Sequence, residues 1–450
     1  MNIAGIIVEW FKNFFNIQPE KKTIEELESD FFETTGISIT NTMANRIATL
    51  ATVDSTAEVI GTSKRAEFLN NYLCWIVRNK LKGIGQISLG TGDCLVRPNT
   101  NGKRLGVDII HNGNFIIVES VGDFLISVLI RCAVIKKGAN TYERWEYHKL
   151  DEDNNGIPYV SITQVAFKNS KRISISDVDA WANLVEVQYV PNADRLLLGR
   201  FKCPTLNRKD INSDNGVPIT FGNEHVVEEI KESYKRFNEE FSKTEPIIFA
   251  DKRIFKSKRT VKGGKTVEVT TLPKGKERVI TNVSSNNIDG TPLIKEWAPA
   301  IRDASLETNI ERNFRMLELL CGFSEGILSK STLTYTNTDE VKKSLQATYA
   351  FITNFRNTLE EGLTNVIYAA DVICNYNNIT PMGDYKLDFD WSDSFVQSMK
   401  ERFNELLQGA NMDVIAKAEL RSWIQNEPLE ISEEKIKEME NSSEDIDDDM

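Results

Sequence analysis

The segment from Asp339 to Tyr376 constrains the fold most, because its apolar residues recur at helical steps over about ten turns. These residues are Val341, Leu345, Tyr349, Ile352, Phe355, Leu359, Leu363, Val366 and Ala370. The acidic pair at its start suits the positive end of a helix dipole. At 1.5 Å per residue such a helix is on the order of 55 Å long, longer than a typical globular domain needs. The sequence therefore predicts a fold that contains one very long helix.

A second region, from about Gly83 to Phe201, has the texture of strands. Short runs rich in Val, Ile, Phe and Tyr alternate there with Gly, Asn and Asp. The clearest runs are 94–97, 115–119, 125–134 and 142–148, and turn signals stand at Asn112-Gly113 and at 153–156. This pattern predicts a mainly antiparallel β region of roughly 120 residues. A helix is predicted just before it, from Val59 to Leu81, so the predicted fold class is α+β.

Two further helices are predicted to have a narrow apolar stripe. In the first, Ile230, Tyr234, Phe237 and Phe241 follow steps of 4, 3 and 4 residues. In the second, Leu306, Ile310, Phe314 and Leu317 lead to an end at Gly322. The remaining faces of both helices are largely polar. A helix of this kind buries only one stripe, so we expect each to pack on similar neighbours.

The segment between these two helices reverses the charge of the chain. Residues 251–280 contain ten basic and three acidic residues, net +7, whereas the whole chain has a net charge of −12. The segment resembles a hairpin around Gly263-Gly264, and two interpretations stay open. The lysines of a solvated hairpin keep exposed strand edges from aggregating. Alternatively, the hairpin is a docking surface for an acidic partner or for nucleic-acid phosphates.

Composition and motifs argue against several functions. The acidic balance disfavours broad electrostatic binding of nucleic acid, and no apolar run approaches the ~20 residues of a membrane-spanning helix. Gly263-Gly264-Lys265-Thr266 resembles the end of a phosphate-binding loop, but Arg259 stands where that motif needs its first glycine. The three histidines and six cysteines show no metal-ligand spacing, and the cysteines are expected to be buried thiols in a reducing compartment. We therefore expect no metal, no cofactor and no enzymatic activity.

The two ends of the chain also carry patterns. Ile3, Ile6, Ile7, Trp10, Phe11 and Phe14 form one stripe of an amphipathic helix, which we interpret as docking on its own protein or on a neighbour rather than on a membrane. Residues 427–450 contain eleven acids and two lysines, which predicts a solvated tail.

The order of elements resembles the portal proteins of tailed bacteriophages, in the branch typical of phages of Gram-positive hosts. The resemblance covers about residues 60–430 and rests on the succession of motifs, since no single one is diagnostic. The stretches that carry it are Phe201-Lys-Cys-Pro204 with Asn207, Asp210 and Gly216-Val-Pro-Ile219, then 294–302 through 319–324, then Asp388-Phe-Asp-Trp-Ser-Asp393 and Glu419-Leu-Arg-Ser-Trp423.

The resemblance implies a division of the chain. Residues 1–217 would form N-terminal helices and the β-rich wing, 218–244 the first stem helix and 245–299 the clip. Residues 300–322 would form the second stem helix, 323–338 the tunnel loop, 339–391 the long wing helix with a returning strand, and 392–450 the crown with the acidic tail.

The resemblance also implies a function. Family members form a ring, usually of twelve copies, at one capsid vertex in the virion, after assembly in the host cytoplasm. Double-stranded DNA is packaged through the central channel by a terminase and is later ejected. The implied partners are further copies of the chain, the terminase large subunit, a head-completion or adaptor protein, and the major capsid and scaffold proteins. The alternative is a head–tail connector or tail structural protein without a DNA-conducting channel.

Two sets of site residues follow from this resemblance. The clip would dock partners through Lys252, Arg253, Lys256, Lys258, Arg259, Lys262 and Lys265. The tunnel loop would face DNA through Ser329, Lys330, Ser331 and Thr332. Lys330 is the one phosphate-seeking side chain of that loop, with an ordinary exposed lysine as the other interpretation. An acidic protomer repeated around a ring would disfavour adhesion to a moving duplex.

Overall fold

The computed structural model describes residues 30–391 and 416–437, each with gaps. The gaps are 35, 54, 103, 245–246, 251–256, 263–264, 271–278, 281–293, 298–301 and 331–337 in the first range, and 426–428, 430–431 and 434 in the second. The chain forms two compact units. The first unit contains the residues up to Gly222, Gly322–Ile327 and the residues after 331, and the second contains Asn223–Cys321 and Leu328–Ser331.

The first unit begins with α1 (Ile39–Thr52), β1 (Ser55–Ile60), α2 (Lys64–Asn79) and α3 (Leu81–Thr91). It continues with β2 (Asp93–Thr100), β3 (Leu105–His111), β4 (Phe115–Val121), β5 (Phe124–Lys137), β6 (Asn140–Glu152), β7 (Pro158–Lys168), β8 (Lys171–Ile173), β9 (Val187–Pro191) and β10 (Gly199–Lys202). The second unit contains α4 (Glu224–Thr244), β11 (Ile247–Ala250), β12 (Ser257–Lys262), β13 (Lys265–Thr270), β14 (Val279–Ile280), β15 (Ile294–Trp297) and α5 (Asp303–Leu320). The first unit ends with α6 (Thr338–Tyr376), β16 (Lys386–Trp391) and α7 (Lys417–Gln425).

The N-terminal helices differ from the prediction at both ends of the Val59–Leu81 segment. Val59 belongs to β1, which pairs along its whole length with β16, so the helix α2 begins only at Lys64. The Ser63 hydroxyl caps it by accepting from the Ala66 backbone N–H at 3.0 Å. The predicted β region also begins too early, because residues 83–91 belong to helix α3. This helix packs closely on its surroundings. The Phe355 ring of α6 lies next to Gly85, and a Cβ built on Gly85 would be 3.3 Å from that ring.

The predicted β region forms two antiparallel sheets from β2 onward. The larger sheet has the order β4-β5-β6-β7-β8, with β9 also paired to β7, and the smaller has the order β10-β2-β3. The predicted turns are confirmed, since Asn112-Gly113 joins β3 to β4 and residues 153–156 join β6 to β7. Because side chains alternate along a strand, both faces of the larger sheet are apolar at its centre. Val128 and Ile130 enter one buried cluster, and Leu129 enters another.

Helix α6 has the predicted length and stripe: it spans 39 residues, and six of the nine predicted stripe residues are fully buried. These six are Ile352, Phe355, Leu359, Leu363, Val366 and Ala370. The helix crosses β10 where Gly362 faces Gly199, and a Cβ built on Gly199 would lie 2.2 Å from the Gly362 carbonyl oxygen. Further along, Ala369 joins the cluster that the two sheets share. The long helix is therefore the element that both sheets pack against.

The C-terminal end of α6 is tied to α2 by a buried arginine. Arg65 is 1% exposed, and its guanidinium pairs with the Asp371 carboxylate and donates to the Asp371 carbonyl at 3.0 Å and the Thr380 hydroxyl at 2.7 Å. A buried charge is stable only when it is paired and hydrogen-bonded in this way. This contact fixes the turn that leads from α6 to β16.

The described part of the chain is mixed in composition, with helix and strand in separate segments. Among the described strands every pairing is antiparallel except β11 with β14. This arrangement is compatible with the predicted α+β class. Across the described residues, none of the helices has the length and apolarity that crossing a lipid bilayer requires.

Candidate functional site

The second unit is built on an antiparallel pair of helices, α4 and α5. The contacts run in opposite order along the two helices. Near the end of α4, Glu240 accepts two hydrogen bonds from the Arg302 guanidinium, at 2.8 and 2.9 Å. In the middle the Asn309 amide donates to the Ser233 hydroxyl at 3.1 Å. At the other end the Asn223 amide lies 3.5 Å from the Cys321 sulfur.

The buried surface of each helix is a narrow stripe, as the sequence predicts. Ile230, Ile310 and Leu317 are buried, whereas the Tyr234 and Phe314 rings are half-buried and lie 6.1 Å apart between centroids. The side chain of Phe241 lies outside the described residues. The two helices therefore share one seam, and among the described residues many others on both helices are exposed.

An exposed apolar face lies on the last turns of α5. Leu319 is 72% exposed, and Met316 and Leu320 are exposed to 48% and 43%. Scattered exposed apolar residues are ordinary on protein surfaces. These three, however, stand within five positions of one helix, where they form a small continuous patch.

The segment Leu328–Lys330 is held against α5 by three carboxylates. Glu318 is fully buried; it accepts from the Leu328 and Ser329 backbone N–H groups and, at 2.7 Å, from the Ser329 hydroxyl. Glu311 accepts from the Lys330 backbone N–H at 2.9 Å. Because Glu318 bonds three donors at once, this segment has a defined place on the helix. We call Leu328–Lys330 with Glu307, Glu311 and Glu318 the loop clamp.

The loop clamp determines the surroundings of two predicted channel residues. The Ser329 side chain is buried and bonded to Glu318. The Lys330 ammonium is exposed and pairs with the Glu307 carboxylate at 2.6 Å, and this hydrogen bond raises the pKa of Lys330 above its ordinary value. Ser331 and Thr332 lie outside the described residues. The contact of this loop with DNA stays a prediction.

The basic hairpin has its strands at the predicted positions. Strands β12 and β13 pair in antiparallel register across Gly263-Gly264, with Lys262 opposite Lys265 and Arg259 opposite Glu268. In this register Lys258 and Lys262 belong to β12, and Lys262 stands opposite Lys265 of β13. Lys252, Arg253 and Lys256 lie outside the described residues.

The same segment settles the phosphate-loop question. A phosphate-binding loop needs a helix directly after its lysine, so that backbone N–H groups and the helix dipole meet the phosphate. Lys265 instead begins β13. The structure therefore confirms that this motif is not such a loop.

Sequence reasoning missed the acidic partners of the tunnel loop and all of the buried ion pairs. Glu307, Glu311 and Glu318 stand at helical spacings on α5, so a search for acids on one helix face could have found them. The buried pairs gave no such signal, because their members are far apart in the chain: Asp93 pairs with Arg200, and Arg97 with Glu146.

Among the described residues, no three His, Cys, Asp or Glu side chains are grouped as a metal ion would require. Comparison of the sequence with known protein families and with curated proteins finds no match.

Proposed function

We propose that this chain is the protomer of a phage portal: a ring at one capsid vertex through which double-stranded DNA is packaged and later ejected. The proposal includes docking of the terminase large subunit and a head-completion protein on the ring, and contact with the major capsid and scaffold proteins. It assigns no catalytic residue to the chain, because the packaging motor is a separate ATPase.

One observation carries the proposal. Two antiparallel helices, α4 and α5, pack through one narrow apolar stripe, and the segment that connects them contains the basic hairpin. The pair begins after a β-rich region and is followed by a short loop and a 39-residue helix. This is the order of wing, stem, clip, stem, tunnel loop and long helix that the portal resemblance implies. The β excursion between α4 and α5 supports the clip assignment, and α4 and α5 support the stem assignment.

The surfaces of the helix pair support assembly into a ring. A helix that is buried along one stripe within its protomer has flanks left for neighbouring copies. The patch of Met316, Leu319 and Leu320 offers apolar area of the kind that subunit interfaces bury. A contact between two different surface patches of identical copies produces a ring when the rotation from one copy to the next adds up to a full turn.

The charges of the helix pair suit a channel that does not bind the passing DNA tightly. Helix α4 has six acidic and four basic residues, and α5 has four acidic and two basic residues. Glu307 already neutralises Lys330. A moving duplex must break every phosphate contact at each step, so a wall with an excess of acidic residues favours translocation.

Electron microscopy tests the ring. Negative-stain images of the purified full-length chain should show rings with a central hole, and particles assembled without the chain should stay empty of DNA. Discrete monomers or trimers would instead favour the head–tail connector without a channel. Particles that fill with DNA in its absence would overturn the portal function itself.

The basic hairpin is tested by reversing the charge of three of its lysines. The variant Lys258→Glu, Lys262→Glu, Lys265→Glu should abolish binding of the terminase large subunit or the head-completion protein, because the new carboxylates would repel an acidic partner surface that the lysines attract. Ring formation should persist in micrographs of the same sample. Lys136→Glu, Lys137→Glu is the matched control, because these exposed lysines end strand β5 at another hairpin. Unchanged docking by the triple variant would make the hairpin a solvated structure only.

A further inference from the structure

A cavity of about 190 Å³ lies in the first unit beside the last turns of α6. It is open to solvent on one side, where Asn99, Gln188 and Asn377 lie among its lining residues. The apolar part of its wall is formed by Pro98, Ile162, Val190, Leu197, Val372 and Ile373. An apolar protein cavity of about 150 Å³ holds benzene. The cavity by His148 therefore has the size of one small ring compound.

One wall residue has an unused hydrogen-bonding atom. His148 is 1% exposed, and its Nε2 lies 3.3 Å from a carboxylate oxygen of Glu146. A carboxylate only accepts, so Nε2 of the neutral ring carries the proton and Nδ1 is an acceptor. Nδ1 is buried and has no hydrogen-bond partner. Most buried polar atoms in proteins have a partner, so this acceptor calls for one.

The charges around His148 favour a neutral ligand. The Arg97 guanidinium pairs with both Asp108 and Glu146, and Arg144 also pairs with Glu146. A charged ligand would therefore lose its hydration without gaining a counter-ion in this wall. Burial also lowers the pKa of His148, although the Glu146 carboxylate opposes the shift, and the ring is neutral at physiological pH.

We propose that this cavity binds a small neutral molecule with a ring-sized apolar body and one hydroxyl group. The hydroxyl donates to Nδ1 of His148, and because this atom is buried the imidazole must turn toward the cavity to meet the donor. The apolar body displaces water from the side chains on α6, β7 and β9. This site is separate from the residues to which the portal proposal assigns DNA passage and partner docking.

Phenol and toluene are the probes, since they have similar size and shape and a hydroxyl group in phenol replaces the methyl group of toluene. Each is titrated into the full-length protein while the methyl signals of Val372, Ile373 and Ile162 are followed by NMR. We expect phenol to bind more tightly than toluene, by about fivefold or more for one hydrogen bond to a buried acceptor. Equal affinities, or no shift of these signals with either probe, would overturn the proposal.

Two variants separate the acceptor from the cavity. His148→Gln keeps an amide donor for Glu146 but has no counterpart of Nδ1, so it should bind both probes with equal affinity. Val372→Phe fills the cavity without touching the Glu146 network and should bind neither. Retention of the phenol preference by His148→Gln, or unchanged binding by Val372→Phe, would show that the probes bind elsewhere.

Discussion

At the scale of single residues, buried charges fix the parts of this protein that its sequence leaves undefined. Glu318 is the clearest case, because a fully buried carboxylate is stable only with several donors around it. It receives three donors from Leu328 and Ser329. The portal resemblance implies a tunnel loop at 323–338, but it contains no information about which side chains hold that loop in place. The carboxylate supplies that information.

We predict that Glu318→Ala releases the loop clamp. Removing a charged acceptor from three donors should lower the free energy of unfolding by about 2–4 kcal/mol, since each bond to a charged group contributes about 1.5–3 kcal/mol before relaxation. Urea unfolding measures this loss, and hydrogen exchange of the Leu328 and Ser329 amides should accelerate. Unchanged protection of these amides would show that other contacts hold the segment, and it would contradict the prediction.

Glu307→Gln is the control for this variant on the same helix. Its carboxylate pairs with Lys330 on the surface, where the two side chains are 58% and 73% exposed. Exposed ion pairs contribute about 0–1 kcal/mol. Stability and amide exchange should therefore stay close to those of the natural chain.

At the scale of elements, local patterns predict helices well and pairings poorly. The apolar stripe of α6 and the stripes of α4 and α5 are periodic over many residues, so their helices are confirmed within a few residues. Strand β1 gave no local signal, because its partner β16 stands more than 300 residues later in the chain. Helix α3 was not predicted because its glycines oppose helix propensity, and its packing on α1 outweighs that cost.

The crossing of α6 over β10 is predicted to tolerate no side chain at Gly362. A Cβ built there lies 2.6 Å from the Phe201 ring and 2.8 Å from the Arg200 carbonyl oxygen. Gly362→Ala should therefore lower the free energy of unfolding by about 1–3 kcal/mol, the usual cost of overpacking. Thermal or urea unfolding of the full chain measures it.

Gly83→Ala is the matched control in another helix. No heavy atom lies within 4 Å of a Cβ built on Gly83, so alanine gains helix propensity without a clash. We expect an increase of about 0.5–1 kcal/mol in the free energy of unfolding. If both substitutions stabilise the protein, the crossing of α6 over β10 has space for a side chain at Gly362, which would contradict the prediction.

At the scale of the whole molecule, the proposed function depends on contacts between copies of the chain. This proposal rests on the exposed apolar patch at the end of α5 and on the inverted charge of residues 251–280. The sequence predicts the charge inversion because it is local. It does not predict which residues meet across copies, since that depends on the curvature of an assembly that no local pattern encodes.

The apolar patch at the end of α5 makes the assembly testable. Met316→Glu, Leu319→Glu should prevent ring formation, because an interface would then bury two carboxylates without partners. Association should weaken at least tenfold, since a loss of about 1.4 kcal/mol in binding free energy already corresponds to a factor of ten. Sedimentation velocity measures the shift to protomers, and circular dichroism should show unchanged helix content. Met382→Glu is the control, since Met382 is 79% exposed in the first unit and so matches Leu319 in exposure. Rings that persist in the double variant would exclude this patch as the subunit contact, while rings lost in both variants would point to a general effect of added charge rather than to α5.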